Sequence, residues 1–255
     1  MSVAIAIRNG VREEASSPPL PSRANRAKST EIRELGRAGE VTFAVIPTAW
    51  GLCGAIWINR ESERAGVGVT AAFAERPSEA LLCRILTPGL AVSQLRGQIM
   101  RTHPNASEVF GDGHGNFHPE VVPEWFGELV RYLQGYYTAN LRDLTQPQFV
   151  DNWTFWRPRL DWSQVTPFQR QVLEQCAQIP SGQQMTYGQI AKRLGKPAAS
   201  RAVGAALGSN PWPVLVPCHR VLGKKGKLTG FSAPGGISTK QRMLDMEQRG
   251  LLSDV

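Results

Sequence analysis

The pattern of apolar and polar positions predicts strands near the start of the folded part of the chain. Residues 41–46 and 52–58 are mostly apolar and uncharged, and Pro47 and Gly51 lie between them. Two short apolar runs on either side of such a turn are typical of a β-hairpin. A third strand is predicted over residues 65–72.

The rest of the first half predicts helices and loops. Residues 77–86 begin with Pro-Ser-Glu and continue with apolar residues at helical spacing, which predicts a helix. Residues 97–119 are polar and contain several glycines, which predicts a loop. Residues 123–133 predict an amphipathic helix. Its apolar face is expected to comprise Trp125, Phe126, Leu129, Val130 and Leu133.

The second half predicts three short helices. Thr166 is placed to cap the first, with Pro167 at its first position. Thr186 precedes the second, and Gly195 supplies the left-handed residue that ends it. After a tight turn, a third helix over residues 198–207 has small residues along one side. Two short helices joined by such a turn are typical of a helix-turn-helix unit.

The excess positive charge of the chain is concentrated in this second half. The 255 residues carry a formal net charge of +8. Residues 160–255 contain 12 Lys and Arg against 5 Asp and Glu, whereas residues 1–159 contain 17 against 16. Such a basic segment suits a polyanionic partner such as DNA. A solvated basic face with no partner is the alternative.

Composition and cysteine usage favour a soluble protein in a reducing compartment. The four cysteines form no C-x-x-C unit; they are Cys53, Cys83, Cys176 and Cys218. The uncharged residues 41–59 are interrupted by a proline and a glycine, so a membrane span is not expected. Residues 1–38 lack sustained periodicity and predict a flexible leader. We expect a cytoplasmic protein, associated with the nucleoid when bound to DNA, or a nuclear one in a eukaryote.

One tetrapeptide, Pro217-Cys218-His219-Arg220, carries most of the chemical information. A thiol beside an imidazole, in a loop stiffened by proline, can produce a thiolate at neutral pH. A single cysteine is more often a small buried apolar residue. The surrounding sequence therefore decides between the two interpretations.

The surrounding residues 210–223 read Asn-Pro-Trp-Pro-Val-Leu-Val-Pro-Cys-His-Arg-Val-Leu-Gly. Together with Thr-Tyr-Gly at 186–188 and Arg-Ala-Val-Gly at 201–204, this string closely resembles the active-site segment of the methylated-DNA–protein-cysteine methyltransferases, the O6-alkylguanine-DNA alkyltransferases. The resemblance is strong over residues 160–248 and weak over residues 41–145.

The resemblance implies an α+β fold in three parts. Residues 1–38 would be the flexible leader, and residues 39–158 a small N-terminal α/β (ribonuclease H-like) domain without catalytic residues. Residues 159–255 would form a mainly helical DNA-binding catalytic domain of the winged helix-turn-helix type.

The resemblance also implies direct-reversal DNA repair. The methyl group of O6-methylguanine in duplex DNA would move irreversibly to Cys218, with O4-methylthymine as a second candidate substrate. The methyl ends as a thioether, so each molecule would act once and need no cofactor or metal. The implied partner is double-stranded DNA, which a monomer would bind in the minor groove without regard to sequence. No membrane association is implied.

The resemblance assigns roles to individual residues. Cys218 would be the nucleophile, and His219 would act on it through a bridging water. Glu247, seven residues after Lys240, would orient the imidazole. Tyr187 would help to rotate the target base and hydrogen-bond it.

Further residues are implied to bind DNA or to support the site. Arg201 would enter the base stack in place of the flipped nucleotide. Its neighbours on the DNA-binding helix would be Ser200, Ala202 and Gly204. Asn210 and Pro217 would support the cysteine loop. Arg220 would either hold this loop or contact phosphate.

The substrate pocket is where the sequence departs from the family pattern. The implied lining residues are Val221, Phe231 and Ser232. Phe231 stands where the family often has a tyrosine, and residues 231–236 form a loop two residues longer than a common form. Tolerance for groups larger than methyl is therefore an open question.

Five alternatives compete with this interpretation. The chain could be a DNA-binding regulator in which Cys218 is a passive or sensing thiol. A damage sensor of the alkyltransferase-like type lacks the reactive cysteine, and a fused regulator would normally add a zinc-binding cysteine cluster. A thiol hydrolase would need further groups to aim two adjacent side chains at one substrate. A metal site would draw on Cys53, Cys83, His103, His114 and His118, whose spacing matches no strong zinc pattern.

Overall fold

The structure is a computed structural model, which describes residues 40–59, 80–111, 116–118, 122–138 and 153–252. The leader predicted over residues 1–38 and the strand predicted over residues 65–72 lie outside the described residues.

A mixed four-stranded sheet forms the first half, with the strand order β3-β2-β1-β4. Its strands are β1 (Val41–Thr48), β2 (Gly51–Asn59), β3 (Ala80–Leu86) and β4 (Ser107–Val109). β1 and β2 form an antiparallel hairpin that turns between Thr48 and Gly51, which confirms the predicted hairpin. β3 pairs with β2 antiparallel, and β4 pairs with β1 parallel.

The prediction of a helix over residues 77–86 is wrong, because the described part of this segment is strand β3. This strand is apolar on both faces: Leu82 and Ile85 pack into one core cluster, and Cys83 and Leu86 into another. A short apolar run that is buried on both sides has no strand-like alternation, so its sequence resembles that of a buried helix.

The loop predicted over residues 97–119 is also partly wrong. Helix α1 (Val92–Thr102) extends into this range, and β4 follows it. α1 buries only Leu95 and Ile99, so its apolar stripe is one turn long and its other positions look like a polar loop. β4 has three residues, too few for a periodic signal.

The amphipathic helix is confirmed as α2 (Phe126–Tyr137), with the predicted apolar face buried. Trp125 precedes the helix, and its indole N–H donates to the carbonyl oxygen of Ala80 at 3.0 Å. α2 thereby packs against the sheet.

The second half is mainly helical. Its helices are α3 (Trp153–Trp156), α4 (Pro167–Ala177), α5 (Tyr187–Arg193), α6 (Ser200–Gly208) and α7 (Gly236–Leu252). The strands β5 (Met185–Thr186) and β6 (Val221–Leu222) pair in parallel.

The caps predicted for α4 and α5 are confirmed. The Thr166 hydroxyl accepts from the backbone N–H of Gln169, and Thr186 forms a reciprocal capping box with Gln189. Gly195 lies in the left-handed region with φ +69°. A short 3₁₀ turn, Pro197–Ala199, then leads into α6.

One apolar core joins the two halves. It includes Trp57 and Phe126 from the first half and Leu173 and Val216 from the second. The free edge of β3 is bonded to the segment that precedes the Cys-His motif, because Ile85 N–H donates to the Pro211 carbonyl at 2.9 Å. The indole N–H of Trp212 donates to Leu82 of the same strand at 2.8 Å.

Candidate active site

The loop before Cys218 is held by Asn210. The Asn210 side-chain N–H donates to the carbonyl oxygen of Val216 at 2.8 Å, and its Oδ1 accepts from Trp212 N–H at 3.0 Å. Between these contacts Val214 has φ +76°, an unusual conformation for a β-branched residue. Asn210 therefore spans a strained turn and fixes the position from which the chain enters the motif.

Cys218 opens a short 3₁₀ turn, Cys218–Arg220, that follows Pro217. The Cys218 residue is 7% exposed. It borders a narrow cavity whose other walls include Tyr187, Gly204 and Phe231. A second cavity, of about 250 Å³, also reaches Cys218 and is lined partly by Arg84 and Gln98 from the first half.

His219 and Glu247 form a fully buried pair. The distance from His219 Nε2 to Glu247 Oε1 is 2.7 Å, although 28 positions separate the two residues in the chain. The other imidazole nitrogen, Nδ1, is buried and has no hydrogen-bond partner among the described residues. With the proton on Nε2 shared with the carboxylate, Nδ1 carries a lone pair that can accept a proton.

Arg220 belongs to the interior rather than to a phosphate-binding surface. Its Nε lies 2.9 Å from Glu247 Oε2, and its NH2 group lies 2.9 Å from Oε1. Its remaining NH1 group donates to the carbonyl oxygen of Ile179. Of the two roles expected for Arg220, the structure therefore shows the one that supports the loop.

Tyr136 of α2 also reaches this pair, and sequence reasoning missed it. Its hydroxyl lies 3.0 Å from Glu247 Oε1 and 3.1 Å from His219 Nε2. A tyrosine on an amphipathic helix reads as an ordinary core residue. The contacts join positions 111 and 83 residues apart, so no local pattern could have revealed them.

Burial and the neighbouring charges together favour an ionised Glu247 carboxylate and a neutral His219 imidazole. Burial raises the pKa of Glu247, but His219 and Arg220 outweigh it and bring the pKa well below its usual range. Burial lowers the pKa of His219, against the opposing charge of Glu247. At neutral pH the imidazole is therefore uncharged and can act as a base.

The resting thiol is protonated. Burial raises the pKa of Cys218, while a hydrogen bond from Asn210 and the charge of Lys240 act in the opposite direction. Lys240 is itself buried and donates to the carbonyl oxygen of Val221 at 2.6 Å. The sequence pattern suggested a thiolate at neutral pH; the structure instead gives a neutral thiol that needs a base.

A groove of about 920 Å³ lies beside the thiol. Its lining includes Tyr187, Ser200, Arg201, Gly204, Phe231 and Ser232. Lys224 and Lys225 line another side and are exposed, so the groove carries positive charge. Arg201 is also exposed, and within the described part of the chain it forms no ion pair.

One residue expected to line the substrate pocket lies elsewhere. Val221 is fully buried in the core and does not line the groove or either cavity beside Cys218, because strand β6 turns its side chain inward. Ala202, expected to contact DNA, is exposed on α6 next to Arg201 and does not line the groove, so its contact with DNA stays a prediction.

Among the described residues, no group of three or more His, Cys, Asp or Glu side chains could hold a metal ion. His114, one member of the metal set considered from the sequence, lies outside them. In the part of the chain that the structure describes, no helix has the length and apolar character needed to cross a membrane.

Residues 167–249 match the family model described as 6-O-methylguanine DNA methyltransferase, DNA binding domain. This match covers the helical half that carries the buried Cys218–His219–Glu247 arrangement. The fold and the site thus define a protein with a DNA-binding domain built around a cysteine.

Comparisons with curated relatives agree with this match. The methylated-DNA–protein-cysteine methyltransferase of Methanosarcina acetivorans is 38% identical over 124 residues, which cover 49% of this chain and 70% of that protein. The chain belongs to this family. The enzyme of the same name from Shigella flexneri is 54% identical over 82 residues, covering 32% of this chain and 47% of that relative, so the chain spans about half its length.

Two solved structures extend the similarity to the first half. The Mycobacterium tuberculosis OGT in complex with DNA has a TM-score of 0.52 and 27% identity, covering 82% of this chain and 94% of that chain. The Mycobacterium tuberculosis O6-methylguanine methyltransferase has a TM-score of 0.51 and 27% identity, covering 82% and 93%.

Proposed function

We propose that this protein repairs O6-methylguanine in duplex DNA by moving the methyl group to Cys218, once per molecule. The observation that carries the proposal is the position of Cys218. Its residue borders a cavity next to a basic groove, and the following residue is a buried neutral imidazole held by Glu247.

The chemistry needs a nucleophile and a base. The thiol proton passes to Nδ1 of His219 through a water, the sulfur–methyl bond forms, and the O6–methyl bond breaks. The electron pair of the broken bond stays on the guanine, which takes up a proton to become ordinary guanine. Tyr187, whose hydroxyl accepts from Thr229 at 3.4 Å, lines the groove and is the proposed donor or hydrogen-bond partner of the base.

A single turnover follows from the product. To release the methyl group, a nucleophile would have to displace the Cys218 thiolate, which is a poor leaving group from an uncharged thioether. The step also balances without a cofactor. The methyl carbon moves from O6 to sulfur, and the one proton that the thiol gives to the imidazole equals the one that the guanine gains, so return of the imidazolium proton through water, directly or by way of Tyr187, restores both residues.

The target base must leave the duplex before the sulfur can reach it. The groove beside Cys218 has room for an extruded base. Arg201 lines this groove near the start of α6, and we infer that it occupies the gap in the stack. Lys224 and Lys225 suit phosphate contacts, which carry no sequence information. We therefore infer sequence-independent binding through the minor groove, with α5 and α6 acting as the helix-turn-helix of a winged domain.

Several further expectations belong to the same proposal. They are a ribonuclease H-like first domain over residues 39–158, a catalytic domain over residues 159–255, a monomeric state and a cytoplasmic location. O4-methylthymine stays a second candidate substrate. The cavity of about 250 Å³ beyond Cys218 favours acceptance of groups larger than methyl despite Phe231.

A DNA-binding regulator with a passive thiol is the main competitor. The position of Cys218 argues against it, because this residue borders a cavity that is also lined by Tyr187, Gly204 and Phe231, next to the basic groove.

The test uses a duplex with one O6-methylguanine, in excess over protein. Wild type should restore about one guanine per protein molecule and then stop. Cys218→Ala should restore none and still bind the duplex. Cys53→Ala, which changes a buried cysteine of β2, is the matched control and should behave as wild type. Repair by Cys218→Ala, or repair continuing well beyond one guanine per molecule, would refute the proposal.

A further inference from the structure

Tyr136 lies in the first half of the chain, where the sequence indicated no catalytic residue. It is 1% exposed, and its ring meets the His219 imidazole edge-on with 6.0 Å between centroids. Its hydroxyl lies within 3.1 Å of both His219 Nε2 and Glu247 Oε1. The described structure thus gives the His219–Glu247 pair a third member, from α2.

The hydrogen-bond inventory fixes which atom donates. An ionised carboxylate accepts only, so the single proton of the Tyr136 hydroxyl goes to Glu247 Oε1. Nε2 of His219 lies 2.7 Å from the same oxygen, so it must also carry a proton. The tyrosine oxygen then presents lone pairs to this N–H and disfavours the tautomer that leaves Nε2 bare.

We propose that Tyr136 is a positioning residue for the transfer reaction: it holds Glu247 and His219 so that the imidazole keeps its proton on Nε2 and its lone pair on Nδ1. The inference rests on the function proposed above and adds a role for the first half of the chain. Correct preparation of Cys218 then requires α2 to be docked.

The remaining charges around His219 do not replace this contact. Arg220 and Lys240 are cations, and Glu247 is the nearby carboxylate. Tyr132, also on α2, interacts electrostatically with Arg220 and Glu247. Cys218 is the adjacent residue. Of these groups, only Glu247 hydrogen-bonds Nε2 of His219 in the described structure. Arg220 would keep Glu247 ionised if the Tyr136 hydroxyl were removed.

The test replaces Tyr136 by Phe, which keeps the ring and removes the hydroxyl. Methyl transfer at saturating duplex should slow by about 10-fold at pH 7, which is less than the roughly 10²–10⁴ that a whole general base supplies, because His219 and Glu247 are still present. The carboxylate loses a donor and attracts the imidazolium more strongly, so the pKa of His219 should rise. The acidic limb of the rate profile should therefore move to higher pH, while affinity for the duplex stays unchanged.

Tyr137→Phe is the matched control, since it removes a hydroxyl from the next residue of the same buried helix. Among the described contacts, the Tyr137 hydroxyl forms no hydrogen bond with His219 or Glu247. The Tyr137 hydroxyl interacts electrostatically with Cys218 but does not hydrogen-bond the pair, so Tyr137→Phe should leave the acidic limb of the rate profile, which reports the pKa of His219, where it is in wild type. If wild type transfers the methyl and Tyr136→Phe has the same rate and profile, the inference is overturned while the proposed function stands. If wild type itself transfers nothing, the proposed function fails first.

A measurement on the wild type decides the matter even if Tyr136→Phe does not fold. The ¹⁵N chemical shifts of the His219 imidazole report which nitrogen is protonated. We expect a protonated Nε2 and a bare Nδ1 near neutral pH. A proton on Nδ1 with Nε2 bare would contradict the inference.

Discussion

At the scale of single residues, reactivity at Cys218 depends on the protonation state that burial imposes. The sequence identified Cys218, His219 and Glu247 through their match to the family motif, in which the first two are adjacent and the third follows Lys240 at a fixed spacing. It could not give their charges, because the desolvation that keeps both the thiol and the imidazole neutral arises from the whole fold. Tyr136 was missed because its contacts with His219 and Glu247 also arise from the whole fold and from no local sequence pattern.

The neutral thiol leads to a pH prediction for the free protein. Because burial raises the pKa of Cys218 and only the thiolate reacts, alkylation by iodoacetamide at pH 7 should be slower than that of an ordinary cysteine. The rate should rise with pH and keep rising above about 8.5, where an ordinary cysteine is half ionised. Mass spectrometry of the Cys218 peptide measures the rate of alkylation at each pH. A fast rate that is independent of pH from neutrality upwards would reveal a preformed thiolate and contradict this picture.

At the scale of elements, the caps made α4 and α5 predictable, whereas β3 was not. Thr166 and Thr186 act through contacts three residues away, which a sequence displays directly. β3 is defined by partners on both faces and at its edge, including Pro211, 126 positions further along the chain. Its sequence therefore supports a helix as readily as a strand.

The face of α6 that lines the groove gives a prediction for Gly204. A methyl group added there would meet only the Tyr187 ring, at an ordinary 3.8 Å, so the fold should tolerate Gly204→Ala. Removing a helical glycine should add about 0.5–1 kcal/mol of stability. The same methyl narrows the groove beside Arg201, so repair of duplex substrate should slow.

Gly127→Ala is the control for this prediction, because the added methyl meets nothing within 4 Å on the exposed side of α2. It should leave repair unchanged. Thermal unfolding and the single-turnover rate are the two measurements. If Gly204→Ala repaired duplex DNA at the wild-type rate, this face of α6 would not approach the base.

At the scale of the whole molecule, the two halves share one core and should unfold together. Trp57 and Trp125 lie in the first half, and Trp162 and Trp212 in the second; Trp212 bonds directly to β3. Unfolding in urea followed by tryptophan fluorescence and by far-ultraviolet circular dichroism should give coincident transitions. Two separated transitions would show that the halves are stable independently and would weaken the proposed role of α2 at the site.

The central claim is that the sulfur of Cys218 accepts the methyl group and keeps it. The most direct measurement is the intact mass of the protein, followed by peptide mapping, after incubation with duplex DNA that contains O6-methylguanine. We predict a gain of a single methyl group in exchange for the thiol proton, located on the Cys218 peptide and persistent after the DNA is removed. Repaired DNA together with an unmodified Cys218, or a methyl group found on another residue, would contradict the account.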